Sequence, residues 1–319
     1  MKVFLIGGTG LVGSYLLPRL IEKGHEVYVL TRDEGKIAGI GKLGAYGILG
    51  DIRNPLLFKK LLPDKPEILI LLAMPGIRPG KRMTKSRKDE LRSETNDFFR
   101  KSIYLATSYN CPLILPGGTS YMTDNNETAD ETWPILRKGL TEIGADTDEM
   151  VDEAIRTGYP GVIQLIYGKV YGNGGLFRIM YDMAEKGRSA IIGSGENFIP
   201  NIYAGDAAAA IIKAMEKLPI GKKFIIADDT PVTQKDFSLF MAELMDKKKP
   251  GHIPGFIFRL IVGKDFYEVI RMNCKVSNEK AKRILGWQPQ FPSYKEGLKE
   301  TIRQIREEKQ YLSGNMSST

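Results

Sequence analysis

Val3-Phe4-Leu5-Ile6-Gly7-Gly8-Thr9-Gly10-Leu11-Val12-Gly13 begins two residues into the chain, and its reading decides the fold. Val3 to Ile6 is a strand-length apolar run. Leu11 to Ile21 places Leu11, Tyr15, Leu16 and Leu20 on one helical face. Between them Gly7, Gly10 and Gly13 have the spacing G-x-x-G-x-x-G. Gly7 permits a tight turn, Gly10 allows a pyrophosphate to approach the backbone, and Gly13 allows close packing of helix on strand. The helix N-terminus supplies amide donors and partial positive charge. A glycine triplet alone is weak evidence, but between a strand and a helix it reads as a dinucleotide cradle. Its candidate contacts are Gly7, Thr9, Gly10, Leu11, Val12 and Gly13.

Outward from this unit, apolar runs alternate with helical patterns. Strands are expected at Glu26 to Leu30, Ala45 to Leu49, Ile68 to Leu72, Leu113 to Leu115 and Gly161 to Ile166, with helices at Lys85 to Tyr109 and Asp146 to Arg156. The run Ile68 to Leu72 is apolar throughout, as suits a strand buried on both faces. Such alternation predicts an α/β protein with a doubly wound, Rossmann-type parallel sheet. The second half is less regular. A helix is expected at Asp206 to Lys217, a strand at Lys222 to Ile226, a Thr233-capped helix to Met245 and a Ser277-capped helix ending near Gly286. The expected division is a cofactor-binding domain at 1–172 and 200–230, a smaller interleaved substrate-covering region at 173–199 and 231–312, and a disordered tail at 313–319.

Composition narrows the function classes. With 319 residues, 42% hydrophobic and 26% charged, the chain is long enough for a substantial core and too apolar for disorder. Cys111 and Cys274 cannot build a disulfide framework, so a reducing, cytoplasmic setting is expected. The longest apolar run, Ile68 to Met74, is far too short for a membrane span. Only His25 and His252 are present, which disfavours histidine-rich metal sites and Ser-His triads, and no metal is expected. The formal charge of +8 suits an anionic small molecule or, less well, a nucleic acid.

The end of the second strand selects the dinucleotide. An acid there would bind a ribose 2′-hydroxyl. This chain has Leu30-Thr31-Arg32-Asp33, and the Arg32 guanidinium suits a 2′-phosphate. NADP is therefore preferred over NAD. With Gly50-Asp51-Ile52-Arg53, Leu71-Leu72-Ala73, Val170-Tyr171-Gly172, Tyr203-Ala204-Gly205-Asp206-Ala207-Ala208 and Ile284-Leu285-Gly286-Trp287-Gln288-Pro289, the glycine motif resembles the extended short-chain dehydrogenases/reductases, the NAD(P)-dependent epimerase/dehydratase superfamily. The likeness runs over nearly the whole chain. Gly80-Lys81-Arg82-Met83-Thr84 and Ile253-Pro254-Gly255 resemble a poorly characterised subgroup, the cell-division-inhibitor-like epimerase-family proteins. The resemblance implies that Asp51 and Ile52 contact the adenine, that Ala73, Met74 and Pro75 line the cofactor ribose, and that Tyr167 and Val170 lie near the nicotinamide. It also implies Tyr203 as a substrate contact, carbonyl or hydroxyl chemistry on an anionic or nucleotide-sugar-like compound, and a homodimer through helices of the sheet domain.

The superfamily's usual catalytic pair departs from its pattern here. A Tyr with a Lys four residues later normally shuttles the proton. Ile143 and Thr147 stand at those positions. The expected substitutes are Thr119, Ser120 and Tyr121 after the fifth strand, with Lys169 to depress a phenol's pKa. Arg78, Lys81 and Arg82 are candidate contacts to a substrate anion. The stretch from Arg78 to Arg92 lacks aromatics, so it offers no base-stacking platform. Three readings stand: an NAD(P)-dependent oxidoreductase or epimerase; an NADP-binding sensor or scaffold that has lost the Tyr-Lys pair; and an atypical RNA-binding member, which predicts steep salt dependence.

Overall fold

In the computed structural model, which describes residues 1–62, 65–76, 81–124, 126–158 and 160–316, the glycine motif joins β1 (Lys2–Ile6) to α1 (Leu11–Glu22). The chain continues through β2 (Glu26–Thr31), α2 (Ile37–Lys42), β3 (Tyr46–Leu49), α3 (Pro55–Phe58) and β4 (Ile68–Leu71). It then runs through α4 (Lys85–Tyr109), β5 (Leu113–Gly118), α5 (Thr141–Thr157) and β6 (Val162–Tyr167). A short β7 (Lys169–Tyr171) and α6 (Gly175–Glu185) lead to β8 (Ala190–Ile192), β9 (Phe198–Ile199) and β10 (Asn201–Tyr203). After α7 (Ala204–Lys217), β11 (Lys222–Ile226) returns to the main sheet.

That sheet has seven parallel strands in the order β11-β6-β5-β4-β1-β2-β3. Order reverses at β1, with β2 on one side and β4 on the other. Open α/β sheets bind ligands in the crevice at such a switch point, beyond the carboxyl ends of the strands. Strand alternation distributes the core. Val3, Leu5, Ile68 and Ile70 pack on the α1/α7 face, while Phe4, Ile6, Leu69 and Leu71 pack on the opposite face with Phe98 and Phe99 of α4. All eight strand residues are at most 2% exposed, so the central strands are apolar throughout because both faces are covered.

The C-terminal third is β12 (Val232–Thr233), α8 (Gln234–Leu244), β13 (Gly251–Ile253), α9 (Gly255–Val262), α10 (Lys264–Ile270), α11 (Glu279–Leu285) and α12 (Tyr294–Met316). Thr233 caps α8 as expected, its hydroxyl accepting from the Asp236 amide at 3.0 Å. Asn278, not Ser277, stands at the cap position of α11, although Ser277 Oγ accepts from the Glu279 amide at 3.4 Å. The helix expected at Asp146 begins five residues earlier, at Thr141. The expected disordered tail begins too early, because residues 313–316 continue α12 and only 317–319 lie outside the described residues. Among the described residues no helix is long and apolar enough to cross a membrane.

Candidate functional site

The loop after β1 folds tightly because Gly7 adopts φ +95°, a conformation that favours glycine. Gly13 serves helix packing instead. A Cβ there would lie 2.6 Å from the Gly8 carbonyl carbon and 2.7 Å from Gly8 Cα. Gly10 is the N-cap of α1 and no side chain caps that terminus, nor is any acid present in its first turn. The first-turn amides are thus left to an anion.

Two adjoining cavities open from this loop and share Gly7, Gly10, Leu11, Leu72, Met74 and Pro75. The first, about 920 Å³, runs over the ends of β1, β2 and β3 and includes Thr9, Arg32, Asp51, Ile52 and Ala73. The second, about 520 Å³, lies over β4, β5 and β6 and includes Val12, Gly13, Tyr167 and Val170. Every residue expected to bind the cofactor lines one of the two.

The first cavity carries both signs of charge, with Arg32, Lys36, Arg53 and Arg87 against Asp33, Asp51 and Glu94. Arg53 grips Asp51 through Nε at 3.0 Å and Nη2 at 2.5 Å, and its backbone amide donates to the same carboxylate at 2.9 Å. The Arg53 guanidinium holds the Asp51 carboxyl below the usual carboxylate range against the opposing effect of burial. Arg32 Nη1 lies 4.0 Å from Asp51, and its side chain is 68% exposed, so this contact orients more than it stabilises. Asp33 also lines this cavity, and its Oδ1 accepts from the Gly35 amide at 3.0 Å. Lys36, Arg53 and Arg87 also line this cavity, and none was among the expected contacts. Arg53 was within reach of sequence reasoning, as the last residue of the quoted Gly50-Asp51-Ile52-Arg53.

The second cavity differs in character. Its far wall is Leu91, Thr95 and Phe99 of α4 with Leu140, Ile143, Gly144 and Thr147 at α5, so Ile143 and Thr147 face the space where the Tyr-Lys pair would act. Thr95 Oγ1 donates to Leu91 O at 2.7 Å and Thr147 Oγ1 to Gly144 O at 2.9 Å. Ser120 lines the cavity too, beside Gly144, and its hydroxyl makes no hydrogen bond among the described residues. The Tyr167 hydroxyl is buried without a hydrogen-bond partner among the described residues, and burial drives its pKa upward.

The other expected site residues are placed elsewhere. Tyr121 is 2% exposed in a cluster with Ile225, Met272 and Cys274, outside the cavity lining, and burial raises its phenol pKa. Donation to a ligand in the cavity would require the ring to leave that cluster. Thr119 is also outside the lining; its amide donates to Tyr167 O at 3.0 Å. Lys169 lies between the lining residues Gly168 and Val170 without lining the cavity itself. Its side chain is solvent-accessible yet ringed by protein, which lowers its pKa, and it has no ion-pair partner among the described residues. Tyr203 is a core residue, 4% exposed, accepting from Gln304 Nε2 at 2.8 Å and packed edge-on to Tyr15. Lys81 and Arg82 are exposed and line neither cavity. Arg78 lies outside the described residues.

Residues 3–92 match the family model described as NAD dependent epimerase/dehydratase family. Over those residues the chain is similar to that family. The human epimerase family protein SDR39U1 is 23% identical over 309 residues, covering 95% of this chain and all of that one. Its crystal structure with NADPH superposes with a TM-score of 0.76, at 21% identity over 94% of this chain and 99% of that chain. A 3-diazoavenalumate denitrifying reductase from Streptomyces sp. is 21% identical over 93% of this chain and 99% of its own length. A dTDP-glucose 4,6-dehydratase from Streptomyces venezuelae, solved with NAD and TYD bound, has a TM-score of 0.81 at 16% identity, with 98% of each chain covered. Ile143 and Thr147, which the resemblance sets at the usual Tyr and Lys positions, both line the second cavity.

Proposed function

We propose that this protein binds NADP across the two cavities and reduces a carbonyl group at the second. The observation that carries this reading is the glycine cradle. A Cβ at Gly7 or Gly13 would collide with backbone, and the uncapped first turn of α1 opens directly into a cavity with an uncommitted hydroxyl at Ser120. These residues fit a dinucleotide. The α1 amides take the pyrophosphate, and Arg32, Arg53 and Lys36 take the 2′-phosphate, with Asp51 orienting the two guanidinium groups. When bound, the nicotinamide supplies a hydride to the carbonyl carbon. Ser120 donates a hydrogen bond to the carbonyl oxygen, which takes up the π electron pair and then a proton from water at the cavity mouth. Of Thr119, Ser120, Tyr121 and Lys169, this reading assigns the substrate contact to Ser120 and leaves Lys169 as a cation beside the mouth. Phe266 and Val269, from the segment expected to cover the substrate, back the cavity wall. The Streptomyces reductase, and a ketoreductase of Stigmatella aurantiaca that is 21% identical over 80% of this chain, support reduction as the class of reaction.

Calorimetric titration with NADPH and NADH tests the cofactor assignment. NADPH is expected to bind the tighter. The double variant Arg32→Ala/Arg53→Ala should weaken NADPH by about 100-fold and NADH by less than about threefold, because each guanidinium makes a charge-assisted bond to the 2′-phosphate alone. Equal losses for the two dinucleotides, or no binding of either, would remove the reading. Ile143 and Thr147 favour a second reading, a non-catalytic NADP-binding sensor. Loss of NADPH absorbance on adding any ketone excludes it.

A further inference from the structure

We infer that the cavity over β4, β5 and β6 selects an uncharged, predominantly apolar carbonyl compound and rejects carboxylates and nucleotide sugars; the inference names the substrate class for the reductase reading above and rests on it. The anionic substrate implied by the family resemblance needs a cation at this cavity. Among the described residues none of those lining it is Asp, Glu, Lys, Arg or His. Its polar side chains are already committed or sealed. The hydroxyl protons of Thr95 and Thr147 go to helix carbonyls, and the Tyr167 hydroxyl is buried. Ser120 is left as a single donor, enough to orient one carbonyl oxygen and too little to solvate a charge.

The apolar character continues behind the lining. Leu91, Leu140 and Ile143 form one cluster with Met83, and Phe266 and Val269 of α10 pack against it. The charges nearby are neutralised outside this cluster, Lys88 by Glu142 at 2.7 Å and Lys138 by Glu268 at 3.1 Å. The first pair ties α4 to α5, and the second ties α10 to the segment before α5. A carboxylate entering the cavity would exchange water for aliphatic and aromatic carbon, with Lys169 beside the mouth and outside the lining, and that costs more than one hydroxyl returns. An aryl or alkyl ketone loses little solvation and gains burial.

A matched pair of probes tests this: 2-acetonaphthone and its 6-carboxylate carry the same ketone and differ by one charge. Equilibrium dialysis against the NADPH-loaded protein is expected to show the uncharged ketone binding at least about 30-fold tighter than the carboxylate, with no binding of UDP-glucose. Ile143→Asp should weaken the uncharged ketone at least tenfold; NADPH titration of the same variant checks that it is folded. Equal or tighter binding of the carboxylate, or of UDP-glucose, overturns the inference, as does carboxylate binding that Arg78→Ala abolishes. Failure of the ketone to bind overturns it as well. Preferential binding of the ketone without oxidation of NADPH upholds the selectivity and overturns only the reductase reading.

Discussion

Gly13→Ala is expected to abolish NADPH binding and to lower the melting temperature by roughly 2–6 °C. The added methyl has no free volume. It would meet the Gly7 carbonyl oxygen and the Gly8 backbone, at 2.6 and 2.7 Å from the Gly8 carbonyl carbon and Cα. A side chain in the way can rotate, but here the obstacle is the cradle itself, so α1 must be pushed off β1. Overpacking of a closed core costs about 1–3 kcal/mol, and each kcal/mol lowers the melting temperature of a chain this long by about 2 °C. Binding suffers more than folding, because the first-turn amides hold an anion only when their spacing to the Gly7 turn is kept. Thermal melts with and without saturating NADPH separate the two effects. Wild type should rise on adding NADPH and the variant should not. A variant that keeps the NADPH-induced rise would show that the cradle is not the dinucleotide site.

Legibility followed sequence distance. The half of the cleft proposed to hold the cofactor is built from loops that each follow a strand, and each loop carries its own contiguous signature, so the lining residues Gly7, Gly10, Gly13, Arg32, Asp51 and Ala73 could be singled out one loop at a time. The half proposed to take the substrate is assembled from α4, β5, α5 and β6. Leu91, Ser120, Ile143 and Tyr167 meet there only because the sheet brings them together. No local pattern announces that. The misplacement of Tyr121 has a simple cause. Ser120 and Tyr121 are adjacent, Ser120 faces the cavity, and Tyr121 enters the neighbouring cluster with Ile225 and Cys274. Sequence put the pair at the right end of the right strand and could not say which of the two faced inward.

Tyr203 shows another limit. The motif Tyr203-Ala204-Gly205-Asp206 is a family signature, but its work here is structural. Asp206 accepts from the amides of Gln290 and Phe291 at 2.8 and 3.0 Å, and its carbonyl accepts from Trp287 Nε1 at 3.1 Å. That stitches α7 to the Gly286-Trp287-Gln288-Pro289 segment. Two quoted motifs therefore proved to be the two ends of one contact, and neither is part of the cleft.

Asp228→Asn is expected to flatten the pH dependence of stability. Asp228 follows β11 and is 8% exposed, and among the described residues its Oδ2 has no hydrogen-bond partner. Its neighbour Asp229 is paired, with Lys282 at 2.8 Å, whereas the Asp228 carboxylate accepts from the Thr230 amide. Burial, with the nearby Asp229 and Asp206 charges adding to it, pushes the Asp228 carboxyl up to about 8. An unfolded Asp titrates near 4. Between about pH 4 and 8 the folded state therefore holds a proton that the unfolded state has released. Stability present below pH 4 is lost as pH rises, until the folded carboxyl also ionises near 8. Asparagine keeps the shape and cannot ionise, but leaves a buried amide proton without a partner at every pH, costing about 1–3 kcal/mol. The variant should thus be the less stable protein at pH 5 and gain on wild type by on the order of 4 kcal/mol by pH 9, a relative shift of roughly 8 °C in melting temperature. Melting curves at pH 5, 7 and 9 for both proteins measure it. Parallel pH profiles would mean that Asp228 is ionised in the folded protein at neutral pH, with a counter-charge or water reaching its free oxygen.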